Sequence, residues 1–185
     1  MCSTKKSRSS RTLIEDTRNQ VGRHRIKNDW WAAHGVEVVR RKLDFGDYMR
    51  ADGFGNISID TKKDVQELAG NCGREHARFA RELDRARDAG CRLYILVEEL
   101  EAYNDRSKLA MWVCRTCRMC PEFRAKRCDP NRDKCRKRRS KPMNGAVLAK
   151  IIAKLERDHG ALFLFCKRGD SARVICDLLG VEYDE

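Results

Sequence analysis

No uninterrupted apolar run in this sequence exceeds six residues, the length of Ala161 to Cys166. A helix needs about 20 apolar residues to cross a bilayer, so these residues supply no spanning helix. The first eleven positions, Met1 to Arg11, lack the apolar stretch of a secretory signal. That sets the expectation of an intracellular, reducing compartment. There, ten cysteines read as metal ligands or core residues before they read as disulfides. No internal repeat is visible. No amphipathic apolar stripe accompanies the basic segments, which argues against an acidic membrane surface as partner.

What is present is a chain of 185 residues, 41% hydrophobic and 37% charged. It is too apolar for simple disorder and of a length for one domain with an insertion. The net charge of +12 is unevenly spread. Residues 1–11 carry Lys5, Lys6, Arg8 and Arg11 and no acid; residues 114–141 carry twelve Lys or Arg against Glu122, Asp129 and Asp133. The remainder is close to neutral. Clustered cations suit a polyphosphate partner, because each neutralised phosphate releases counterions, and DNA is the expected partner.

The hydrophobic pattern predicts strands at 12–16, 36–39, 93–97 and 161–166 and a hairpin pairing 48–51 with 57–60 around Asp52-Gly-Phe-Gly-Asn56. It predicts helices at 24–34, 64–70, 74–89, 144–158 and 171–179, with Asn71-Cys-Gly73 as a break. Buried strands alternating with helices make this an α/β layered domain with some parallel pairing and helices on both faces. The expected organisation is a flexible basic tail at 1–11 and a domain at 12–180, interrupted by a basic Cys-rich insertion at 114–141.

Asp60 and Lys62 are two apart in a strand and share a face, and the hairpin can bring Asp47 beside them. Two carboxylates suit a hard divalent cation, Mg²⁺ or Mn²⁺, which activates water at a phosphorus centre. A neighbouring lysine positions that water or offsets developing charge. Asp16 is a candidate third ligand or a partner of Arg18. Arg74 and Arg78 are candidates for DNA phosphate, as are Lys137, Arg138 and Arg139 in the insertion. Trp30, Trp31 and Trp112 are candidates for base stacking, with core packing the expectation for at least one of the adjacent pair.

The insertion carries Cys114-x2-Cys117-x2-Cys120-x7-Cys128-x6-Cys135. Paired CxxC spacing suits tetrahedral thiolate zinc, which would supply folding energy to a segment with little apolar content. The preferred set is Cys114, Cys117, Cys128 and Cys135, with Cys120 as the alternative. An iron–sulfur cluster is the other metal reading. Cys72, Cys91, Cys166 and Cys176 read as small core hydrophobes.

Asp16-x-Arg18, Gly46-Asp47, Asp60-Thr-Lys62, a following helix with Gln66, then Arg78-Phe79 and the strand Phe163 to Cys166 succeed one another in the chain. This order resembles the PD-(D/E)xK nucleases and, more closely, the XPF-type structure-specific nuclease domain in a compact phage- or bacterial-like version. The resemblance spans most of 12–180. It implies a restriction-endonuclease-like central mixed sheet flanked by helices. It also implies a metal-dependent endodeoxyribonuclease acting at branched or flap DNA, in repair or recombination, with room for a homodimer. Asp47 and Asp60 would hold Mg²⁺ or Mn²⁺, Lys62 would act on the water, Gln66 would support Lys62, and Arg18 would contact phosphate. Asp60 stands where the family signature has Glu, and Gln66 where an acid is usual. The rival expectation is a non-catalytic DNA-binding protein that uses the fold and zinc insertion as a scaffold.

Overall fold

The computed structural model describes residues 10–100, 102–132 and 134–185. The basic tail expected over 1–11 lies outside them except for its last two positions. Six strands form one sheet in the order β2-β1-β3-β4-β5-β6. They are β1 (Thr12–Glu15), β2 (Glu37–Arg40), β3 (Tyr48–Arg50), β4 (Ile57–Lys62), β5 (Arg92–Glu99) and β6 (Leu162–Lys167). β3 runs antiparallel to both its neighbours, and the other pairings are parallel. The sheet is therefore mixed, as expected.

Among the described residues, α1 (Arg25–Ala33), α2 (Val65–Cys72), α3 (His76–Asp88), α6 (Gly145–His159) and α7 (Ser171–Leu179) cover it, while the short α4 (Arg115–Arg118) and α5 (Pro121–Arg124) lie in the insertion. Two apolar clusters result. One joins α2, α3 and α6 to the sheet through Leu68, Phe79, Leu83, Leu148, Ile152 and Phe163. The other joins α1 and α7 through Trp31, Tyr48, Leu96, Ile175 and Leu179. Because both faces are covered, β5 reads as an apolar run rather than an alternation, and Leu93 and Ile95 to Val97 are all buried. None of the described helices is long and apolar enough to cross a membrane.

Local chemistry sets the boundaries near the site. Asp64 caps α2 by accepting from Glu67 N at 2.7 Å, and Asn144 caps α6 by accepting from Val147 N at 2.9 Å. α2 runs on through Asn71 and Cys72, both buried, so the helical break falls at Gly73 and not at Asn71. Burial of those two side chains outweighs the break signal in the sequence. The short helices α4 and α5 inside the insertion carry no periodic apolar pattern, which is why the sequence does not announce them.

Candidate active site

Gly46 delivers Asp47 to the site. Its φ is +67°, and an added Cβ would fall 2.5 Å from Ser58 Oγ and 2.8 Å from Ile59 O, so no other residue fits this turn. The backbone of Asp47 then wedges between two strands, donating to Ile59 O at 2.7 Å and accepting from Asp16 N at 2.8 Å. Its Oδ2 takes both the Thr61 amide (2.8 Å) and the Thr61 hydroxyl (2.5 Å), leaving Oδ1 outside those bonds. Asp60 and Lys62 do share a face. Lys62 Nζ donates to both Asp60 oxygens at 2.7 and 2.6 Å.

This pair is buried, with Asp60 at 6% exposure. Burial pushes the Asp60 carboxyl up to about 6, Asp47 and Glu82 add to the rise, and Lys62 opposes it. Burial alone would push Lys62 down, but the Asp60 carboxylate outweighs it, so Lys62 is held protonated. Its ammonium also lies 5.6 Å from the centre of the buried Phe79 ring. A carboxylate short of water and short of a second cation thus sits at the edge of an open cleft.

Asp16 is engaged differently. Oδ1 accepts from Arg18 N (2.6 Å) and Nε (2.9 Å), and Oδ2 accepts from Arg18 Nη2 (2.8 Å) and Leu43 N (2.8 Å). Burial raises its pKa, yet these hydrogen bonds outweigh it and hold the carboxyl below its usual range. With four donors on two oxygens, Asp16 orients Arg18, whose side chain is 59% exposed at the cleft. Of the two roles open to it in the sequence, this geometry is that of the Arg18 partner.

The cleft has a volume of about 380 Å³, and Asp47, Asp60, Lys62 and Arg18 all line it. So do groups that sequence reasoning passed over as site residues, among them His24, Glu67 and Glu98. Glu98 is buried and paired with Lys27 at 2.6 Å. It lies at the carboxyl end of β5, one step beyond the Lys62–Val97 register pair. An acid at the carboxyl end of a buried parallel strand is the signal that would have found it. Burial, then Lys27, push His24 down to about 4, so it is neutral. Its recognition needed the fold, since no acid or cysteine neighbours it at ligand spacing in sequence.

Other expected residues lie elsewhere. Gln66 does not support Lys62: its Oε1 accepts from Arg115 N at 2.7 Å, across the seam to the insertion. The reason is geometric, since residues 66 and 67 diverge on a helix and it is Glu67 that faces the cleft. Arg78 pairs with Glu75, and with Glu82 at 3.9 Å, on an exposed helix surface. Arg74, Arg138 and Lys141 line a second cleft, of about 640 Å³, between α2 and the insertion. Lys137 lies 3.8 Å from Glu122, and Arg139 is exposed. Trp31 and Trp112 are buried in the core, and Trp30 stacks on His34 with ring centroids 3.9 Å apart, so none stands free to stack on a base.

The ERCC4 domain model matches residues 15–178. The chain belongs to the ERCC4 domain family. It is also similar to XPF from Aeropyrum pernix, with 18% identity and a TM-score of 0.54 over 91% of this chain and 60% of that one. The same protein solved in complex with DNA gives 17% identity and a TM-score of 0.54 over 91% of this chain and 63% of that one. At this identity the likeness is one of fold, and the chain spans about 60% of the length of the XPF chains it matches. No curated protein matches.

Within this ERCC4 domain, no group of three or more His, Cys, Asp or Glu among the described residues is drawn together tightly enough to hold a metal ion as it stands. The donor chemistry of the cleft nevertheless fits a hard divalent cation, with Asp47 Oδ1 and the desolvated Asp60 carboxylate as oxygen ligands. In the insertion, Cys114 Sγ accepts from Cys117 N at 3.4 Å and caps α4, a turn compatible with the CxxC spacing expected to bind metal. Burial, then the thiols of Cys114, Cys135 and Cys128, push Cys117 up to about 12. Cys114, Cys117, Cys128 and Cys135 are soft thiol donors, the chemistry that suits zinc. Cys72, Cys166 and Cys176 are buried, and burial pushes each up to about 12, which is the state of an inert core thiol.

Proposed function

We propose that this ERCC4 domain is a metal-dependent endodeoxyribonuclease that hydrolyses phosphodiesters at branched or flap DNA. The observation that carries the reading is the single cleft in which Asp47, Asp60, Lys62 and Arg18 meet. Bound Mg²⁺ or Mn²⁺ would supply an activated water and charge neutralisation. Asp60 and Asp47 would hold the ion. Lys62, kept protonated beside them, positions the water and offsets charge building on the phosphorus oxygens. Arg18, locked by Asp16, fixes a neighbouring phosphate. DNA is the partner that the basic insertion and the XPF–DNA complex both favour.

The second ion is structural. Cys114, Cys117, Cys128 and Cys135 would hold one Zn²⁺ in an insertion spanning 114–141, whose Lys137, Arg138 and Arg139 grip DNA outside the cleft. A cleavage panel of single-stranded, duplex, flap and four-way DNA, with Mg²⁺ and with chelator, tests the reading. Mg²⁺-dependent cutting of branched substrates is expected. Tight binding of all four with no cutting would favour the non-catalytic scaffold.

A further inference from the structure

α2 serves two parts of the molecule at once. Glu67, in its first turn, lines the cleft and accepts from Lys63 N at 3.1 Å, so it braces the turn that follows Lys62. The same turn is clamped to β5, Val65 N donating to Glu99 Oε1 at 2.9 Å. Gln66, between these two residues, reaches the other way and accepts from Arg115 N at 2.7 Å. Arg115 opens α4, and the first amides of a helix have no partner inside it. It also directly follows Cys114, whose sulfur takes the Cys117 amide. The turn that a thiolate-bound metal would fix is therefore the turn that Gln66 grips.

The insertion has little else to hold it. None of its described residues from 115 to 141 is buried. Among the described residues, its other ties to the body include Cys114, buried in the apolar cluster of α2, α3 and α6 with Cys117 packed against it, the adjoining bridge of Val113 with Asn144, and a hydrogen bond from Asn144 Nδ2 to Pro130 O at 3.2 Å. Without metal, a segment of this kind loses its fold, and Gln66 loses its partner. We propose that Gln66 is a positioning residue that transmits metal loading of the Cys insertion to the catalytic cleft through α2. This rests on the nuclease reading and on zinc in the insertion. It assigns the insertion a second task beside gripping DNA. Displacements of the order of 1 Å in catalytic groups cost about 10²-fold in rate, so a small shift of the Lys62–Glu67 turn suffices.

The test compares wild type, Gln66→Ala, Gln66→Glu, Cys128→Ser and the double variant Gln66→Ala/Cys128→Ser. Zinc content, kcat and KM on branched DNA, and hydrogen exchange of residues 65–72 are measured. Gln66→Ala should keep its zinc and its KM and lose about tenfold to a hundredfold in kcat. Gln66→Glu keeps an acceptor for Arg115 N and should recover most of that loss. The double variant should be no slower than Cys128→Ser, because both changes cut one link. Chelating zinc from wild type should speed exchange at 65–72, and chelating it from Gln66→Ala should not. Additive losses, an unchanged kcat in Gln66→Ala, exchange at 65–72 indifferent to chelation, or a chain that takes up no zinc would each overturn the coupling. If wild type cuts no DNA but exchange follows zinc through Gln66, the nuclease reading fails and the coupling stands.

Discussion

The sheet with its covering helices and the Cys insertion are held together by opposite means. In the body, two apolar clusters bury Leu, Ile, Phe and Trp side chains on both sheet faces, so burial is its main source of stability. In the insertion, order comes from turn hydrogen bonds and from Glu122 with Arg127 at 3.1 Å and Lys137 at 3.8 Å. Exposed ion pairs of this kind contribute little. The difference teaches that the cleft belongs to the part with its own apolar core, while the insertion has no such core, which is why the proposed zinc matters there.

A large expected effect breaks the body's chemistry without touching the insertion. Lys62→Ala should lower kcat by about 10²- to 10³-fold, the usual cost of removing a group that stabilises transition-state charge. Zinc content and Mg²⁺ affinity should persist, and calorimetry showing lost Mg²⁺ binding with intact turnover would reverse the assigned role.

Replacing 115–141 with a short turn attacks the other side of the comparison. Val113 and Asn144 already face each other across a bridge, so the ends can be joined. The body should remain folded, and the fall of DNA affinity with salt should become much shallower, because twelve of the cationic residues leave with three acids. An unchanged salt slope would show that the electrostatic grip lies elsewhere.

Gly46→Ala is a smaller insult placed in the body. The left-handed φ and the approach to Ser58 and Ile59 should cost about 2 kcal/mol or more in unfolding free energy, read by urea denaturation. Cys128→Ser, by contrast, should remove zinc and leave the body's midpoint in place.

The smallest effect is one of pH. Folding lowers His24 from 6.5 to about 4, burial being the main cause. The folded protein therefore takes up this proton less readily than the unfolded chain. The contribution is full above pH 6.5 and is lost as pH falls from there toward 4. Wild-type Tm should drop more steeply over that window than that of His24→Gln, and parallel curves would contradict it.

What was legible in the sequence follows from range. Asp60 and Lys62 are two apart in one strand, and a hairpin of readable turn residues returns Asp47 to them, so local rules sufficed. β5 and β6 were legible because apolar runs of strand length have few other homes. The Lys27–Glu98 pair spans 71 positions and the Gln66–Arg115 contact 49, and no local pattern encodes either. For Gln66, likeness to a family motif pointed into the cleft, whereas the helix turns it to the insertion. The Cys spacing raised the expectation of a knuckle, yet gave no sign of the contact between its first turn and α2.

The most direct measurement is single-turnover cleavage of a labelled flap or four-way DNA by wild type and Asp60→Asn, with and without Mg²⁺. Several kcal/mol of metal-borne charge stabilisation depend on this carboxylate. Wild type should cut only with Mg²⁺, and Asp60→Asn should bind the same DNA but cut it about 10³-fold more slowly or not at all. Equal Mg²⁺-dependent rates for the two proteins, or no cutting by wild type under any divalent metal, would contradict the account.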